Sequence, residues 1–143
     1  MKIKLVIPGS QDHVRLVGRA LKGILEENVQ EGEDLFLIEL AVCEAVANSI
    51  KHAYAGRSLN NVEVEVDIGA SEIIIEVRDE GQKPDSRFLD KNEFQQTCAL
   101  ESMQEGGRGI PIINEVMDHV DYYSSCGKNI LIMRKNISPS RKT

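Results

Sequence analysis

The chain has 143 residues, 41% hydrophobic and 28% charged, with a formal net charge of -6, which suits one globular domain with a core of its own and argues against a disordered chain. The acidic balance argues against sequence-independent DNA or RNA binding, which needs a basic surface to displace counterions. No apolar run is long enough to span a membrane and the opening "MKIKLVIPGS" is too short in apolar residues for a signal peptide, so a cytoplasmic protein is expected.

In chain order, "KIKLVI" reads as a strand with Ile3, Leu5 and Ile7 on one face, closed by Pro8-Gly9. Ser10 is placed to cap a helix whose apolar positions, Val14, Val17, Leu21, Ile24 and Leu25, recur at helical spacing. The polar break "QEGED" precedes a second helix, roughly Glu33 to Tyr54, which Gly56 ends. "NVEVEVDI" alternates strictly, Val62, Val64, Val66 and Ile68 facing one way and Glu63, Glu65 and Asp67 the other. With the turn "GAS" and the run "EIIIEVRD" it predicts an antiparallel hairpin with one wet face. From Gly81 to Gly107 the periodicity dissolves into a segment too long for a mere connection, which predicts a functional lid over about 81–107. Helical spacing returns in "GIPIINEVM", and "HVDYYSS" and "NILIMRK" form a last hairpin around Cys126-Gly127. The expected architecture is α+β, a two-layer sandwich in which helices cover one face of a mixed, mostly antiparallel sheet. One domain over 1–137 is expected, with 138–143, "SPSRKT", a disordered basic tail. Cys43, Cys98 and Cys126 are odd in number and fall in no CxxC or Cys/His ligand spacing, so thiols are expected rather than a disulfide framework or a zinc site.

Three places carry residues that a plain structural reading does not account for. In "ELAVCEAVANSIKHAY", Leu37, Leu40 and Ala41 share a helix face with Glu44, Asn48 and Lys51, while the opposite side, Ile38, Val42 and Val46, is also apolar. Burying an unpaired carboxylate is costly, whereas a carboxylate and an amide aimed at a hydrated cation or polar ligand have partners. A bond from Glu44 to an arginine or a lid backbone group would serve as well. Asp79 falls in register with Ile73, Ile75 and Val77, on the core side at a strand end, where a carboxylate can accept from an exocyclic amine and Gly81 permits close approach of a flat ligand. A turn aspartate capping "DEGQ" is the structural alternative. "EGGRGIPII" sets Gly106, Gly107 and Gly109 before a helix, a start suited to phosphate but equally to a hinge. Its spacing fits neither GxGxxG nor a P-loop.

Taken in order, "ELAVCEAVANSIKHAY", "VRDEGQKPD" and "GGRGIPII" resemble the N, G1 and G2 boxes of the GHKL, or Bergerat-fold, ATPase superfamily that includes histidine kinases and gyrase. The short chain looks most like its anti-sigma-factor serine/threonine protein kinase branch, and the likeness runs over nearly the whole chain. The resemblance implies ATP or ADP with Mg²⁺, with Glu44 as general base, Asn48 on the metal and Lys51 near the phosphates. It implies Asp79 on the adenine amine with Gly81 beside the base, and Gly107, Arg108, Gly109 and Ile110 closing on the phosphates. Gln82-Lys83-Pro84-Asp85 lacks the second glycine that many members carry after the G1 aspartate, and Pro111 falls in the first turn after the glycine box, where proline is tolerated. The implied function is a bacterial kinase that phosphorylates a STAS-type anti-anti-sigma partner, binds a sigma factor and forms a homodimer. A non-catalytic module in which nucleotide only gates partner binding is the alternative. A detached histidine-kinase ATPase domain fits less well, because none of His13, His52 and His119 lies in a phosphoacceptor context.

Overall fold

Alternating apolar and charged residues build the sheet, and the helices cover the face that the alternation makes apolar. The structure, a computed structural model, describes residues 1–29, 35–54, 60–81 and 109–138. The predicted lid beyond Gly81, the glycines Gly106 and Gly107 with Arg108, Cys98 and the tail residues 139–143 lie outside the described residues.

Strands β1 (Lys2–Pro8), β2 (Asn61–Ile68), β3 (Glu72–Asp79), β4 (His119–Ser125) and β5 (Lys128–Asn136) form one sheet in the order β1-β2-β3-β5-β4. Every pairing in it is antiparallel. The helices are α1 (Val14–Glu26), entered through a 3₁₀ turn at Gln11–His13, α2 (Leu35–Tyr54) and α3 (Gly109–Val116). Ser10 stands before the 3₁₀ turn as the spacing predicts, but its hydroxyl makes no cap bond; its carbonyl instead accepts from the His13 N–H at 3.1 Å. No helix among the described residues is long and apolar enough to cross a membrane.

The core gathers Ile73, Ile75 and Val77 of β3, Val62, Val64 and Val66 of β2, and Met133 of β5 beneath Ile38, Val42, Val46 and Ile50 of α2, all buried. Each such side chain taken out of water contributes about 1.5–3 kcal/mol. Helix α1 adds Val17, Leu21 and Leu25 to this core, with Ile24 half-buried against it. Between β4 and β5 the two-residue turn puts both Cys126 (φ 53°) and Gly127 (φ 73°) in the left-handed region, the backbone of a primed turn whose twist suits a tight hairpin.

Helix α1 lies against α2 at Gly18. A Cβ added there would stand 2.3 Å from Cys43 Sγ and 3.2 Å from Glu39 Cγ. Gly18→Ala is therefore expected to destabilise the fold by about 1–3 kcal/mol through overpacking, despite alanine's better helix propensity. Urea unfolding of the single variant and of Gly18→Ala with Cys43→Ala checks the cause, since removing the sulfur is expected to recover most of the loss. An unchanged midpoint in the single variant would refute the close packing. Burial first, then the Glu39 and Glu44 carboxylates, push the Cys43 thiol up, so it stays protonated at neutral pH.

The outer sheet face, expected to be simply wet, holds a cross-strand ladder. Lys4 pairs with Glu63 at 2.7 Å, and Lys2 with Glu65 at 3.2 Å and Asp67 at 3.8 Å. Glu65 stands directly opposite Glu76, a like-charge pair that costs stability by itself. Arg78 resolves the conflict by bonding both carboxylates, at 3.1 Å to Glu65 and more closely to Glu76. The hydrogen bonds from Arg78 and then Lys2 hold the Glu65 carboxyl below its ordinary range.

Candidate functional site

Helix α2 runs over β3 so that its sheet-facing stripe, Ile38, Val42 and Ala45, continues one turn later into Ser49. At that point the apolar alternation of β3 ends in Asp79, 8% exposed, on the core side as the register predicts. The two elements therefore bring a hydroxyl and a carboxylate together under the helix.

Three donors hold that carboxylate. Ser49 Oγ donates to Asp79 Oδ2 at 2.5 Å, Asn129 Nδ2 donates to Oδ1 at 2.7 Å, and the Gly81 backbone N–H donates to Oδ1 at 3.0 Å. Asn129, 2% exposed, faces Asp79 directly across the β3–β5 pair, and its amide also reaches the Gly81 carbonyl at 3.4 Å. The bond from Gly81 is the turn-capping contact that a strand-end aspartate supplies. The bonds from α2 and β5 are tertiary, and they fix the rotamer of a side chain that a turn alone would leave free. A carboxylate receiving three donors is acceptor-only, and with about four lone-pair sites it keeps one acceptor position, on the Oδ2 side. Tyr122 of β4 lies close enough for burial and the Asp79 charge to push its phenol upward, keeping it neutral.

The other predicted residues divide between the described structure and the segment outside it. Glu44 and Asn48 lie one turn apart on a single face of α2, both half-buried, and Lys51 follows on that face, exposed. This face is partly open to solvent, Leu37 on the same side being 40% exposed. No hydrogen bond or ion pair to Glu44 forms among the described residues. Gly109 and Ile110 begin α3, which packs against α2. Ser49, Asn129 and Tyr122 are site residues that sequence reasoning missed. For Ser49 a signal was present, a polar residue closing the stripe 38-42-45; for Asn129 and Tyr122 only strand pairing reveals the neighbour.

On the opposite side of the strand end, a polar depression of about 320 Å³ is lined by Asn60, Asn61, Glu63, Arg78, Asp79, Glu80 and Lys128. Glu63 and Arg78 belong to the outer face, so this depression flanks Asp79 from the side away from Glu44 and Asn48. Its charges are matched, Lys128 lying 3.7 Å from Glu80. It is a poorer candidate for a triphosphate than the α2 face.

Arranged in this way, the chain offers an acceptor clamp for a flat ligand's amine at one end of α2 and a carboxylate with an amide, Glu44 and Asn48, along its side. No cluster of three or more His, Cys, Asp or Glu side chains forms a metal centre among the described residues.

Known proteins resemble this chain over most of its length. The serine-protein kinase RsbW of Listeria innocua is 29% identical over 135 residues, covering 93% of this chain and 86% of the relative. The serine-protein kinase RsbW of Staphylococcus aureus is 29% identical over 136 residues, covering 90% and 82%. Among solved structures, a chain in the crystal structure of the SiaB–SiaC complex from Pseudomonas aeruginosa shares the fold with a TM-score of 0.60 at 16% identity, over 94% of this chain and 89% of that one. The family model described as a histidine kinase-like ATPase domain matches residues 7–135, nearly the whole span from β1 to β5, and the chain belongs to that family.

Proposed function

We propose that the chain is a cytoplasmic, ATP-dependent serine/threonine protein kinase and anti-sigma regulator, which phosphorylates a STAS-type anti-anti-sigma protein, captures a sigma factor and works as a homodimer. The observation that carries this reading is the pairing of a clamped base acceptor, Asp79, with Glu44 and Asn48 on one helix. Relatives named serine-protein kinases, matched over most of their length, support it.

The residues fit a nucleotide with its metal. Asp79 accepts the adenine amine, and Gly81, whose N–H is already bonded to Asp79, lies beside the ring. Asn48 offers a single amide oxygen, which suits Mg²⁺, an ion that keeps most of its waters and takes the rest of its ligands from phosphates. Mg²⁺ bound there supplies neutralisation of charge on the triphosphate. Glu44 takes the proton of the partner's attacking hydroxyl, while Lys51, Gly107, Arg108, Gly109 and Ile110 neutralise and enclose the phosphate end. Positioning and charge stabilisation do most of the work in such a transfer.

Incubating the chain with Mg²⁺, γ-labelled ATP and purified STAS-domain proteins of the same organism tests the reading. Label on one serine or threonine of the partner is the expected result. Tight ATP binding with no transfer to any such partner would replace the kinase with a nucleotide-gated binding protein.

A further inference from the structure

The Asp79 clamp contains more recognition chemistry than one carboxylate. Ser49 Oγ lies 2.5 Å from Oδ2, and an ionised carboxylate can only accept, so the hydroxyl proton of Ser49 is committed to Asp79. What Ser49 then presents to anything beside it is lone pairs alone. The hydroxyl is half-buried, the sole polar side chain closing the sheet-facing stripe of α2, whereas Asn129 on the far oxygen is sealed at 2% exposure. Oδ1 already receives two donors, from Asn129 and Gly81. Acceptor capacity remains on the Oδ2 side and on Ser49 Oγ, next to each other.

We infer that Ser49 is a specificity residue for the nucleotide base, forming with Asp79 Oδ2 an all-acceptor edge that receives an N–H of a 6-amino purine and repels a 6-keto purine. This rests on the nucleotide reading above and deepens it. A keto oxygen at that edge meets two sets of lone pairs with no proton between them, because the Ser49 proton is directed at Oδ2 while Asn129 and Gly81 occupy Oδ1. Ser49 follows Asn48 directly, so the same helix register that places the amide at the phosphate end places the hydroxyl at the base.

Calorimetric titration of the full chain with ATP and with ITP, both with Mg²⁺, tests this on wild type, Ser49→Ala and Ser49→Thr. Wild type is expected to prefer ATP. Ser49→Ala is expected to weaken ATP by about tenfold, the loss of one hydrogen bond beside a charged group, without weakening ITP, so that the preference narrows. Ser49→Thr retains the hydroxyl and is expected to restore it. A purely structural role for Ser49 would weaken both nucleotides alike and lower the thermal midpoint. An unchanged ATP-to-ITP ratio in Ser49→Ala, with ATP still bound by wild type, overturns the inference and leaves the nucleotide reading standing. Failure of wild type to bind either nucleotide removes both.

Discussion

Asp79→Asn is expected to weaken ATP binding by about 100-fold while leaving the protein folded, the larger effect arising because the clamp dictates which way the new amide points. Oδ1 of Asp79 faces two donors, Asn129 Nδ2 and the Gly81 N–H, so an asparagine must turn its carbonyl oxygen to them. Its NH₂ group then takes the place of Oδ2. Ser49 can reverse and accept from that NH₂, so every buried group stays bonded and stability changes little. The ligand's amine, however, meets a donor where it needs an acceptor. A keto purine gains what the amino purine loses, and ITP is expected to bind this variant at least as well as ATP. Calorimetry with both nucleotides, together with a thermal melt, separates the possibilities. Retention of wild-type ATP affinity would remove Asp79 from base recognition and return it to the role of a turn cap.

Periodicity exposed the position of Asp79 in the sequence, because a strand alternates and Asp79 lies an even number of residues from Ile73, Ile75 and Val77. The Glu44, Asn48 and Lys51 face was legible for the same kind of reason, helix spacing on a segment long enough to show it. The hairpins around "GAS" and Cys126-Gly127 were legible because short turns between alternating runs leave few registers. What holds Asp79 was not. Asn129 is 50 residues away on a strand that could have paired elsewhere, and only the β3–β5 register brings the two side chains opposite each other. The half-burial of the α2 face escaped for a related reason. A helical wheel shows which residues share a side, whereas the neighbours that cover a side come from other parts of the chain. The acidic face of β2 likewise reads as merely solvated until β1 and β3 are laid beside it, and Arg78 then proves to hold Glu65 and Glu76 together.

Glu44→Ala is expected to lower phosphate transfer to the partner by about 10²–10⁴-fold, the range for loss of a general base, with ATP affinity within about threefold of wild type. The asymmetry follows from where Glu44 sits. It forms no bond to another described residue, so its removal orphans none of them and leaves the Asp79 clamp untouched; alanine also favours the helix. In the proposed site the nucleotide is held at Asp79, Ser49 and Gly81 and through Asn48, none of which is bonded to the Glu44 carboxylate, and the role proposed for Glu44 is confined to the partner's attacking hydroxyl. Single-turnover transfer from labelled ATP, with calorimetry on the same preparation, reads the two effects separately. Glu44→Gln distinguishes charge and basicity from shape, since the amide keeps the size of the side chain but cannot take a proton. A Gln variant as slow as the Ala variant assigns Glu44 to proton removal. A Gln variant with near-normal transfer would instead make Glu44 a group that positions the phosphate end, and equal losses of ATP affinity and transfer in both variants would make it part of the binding site.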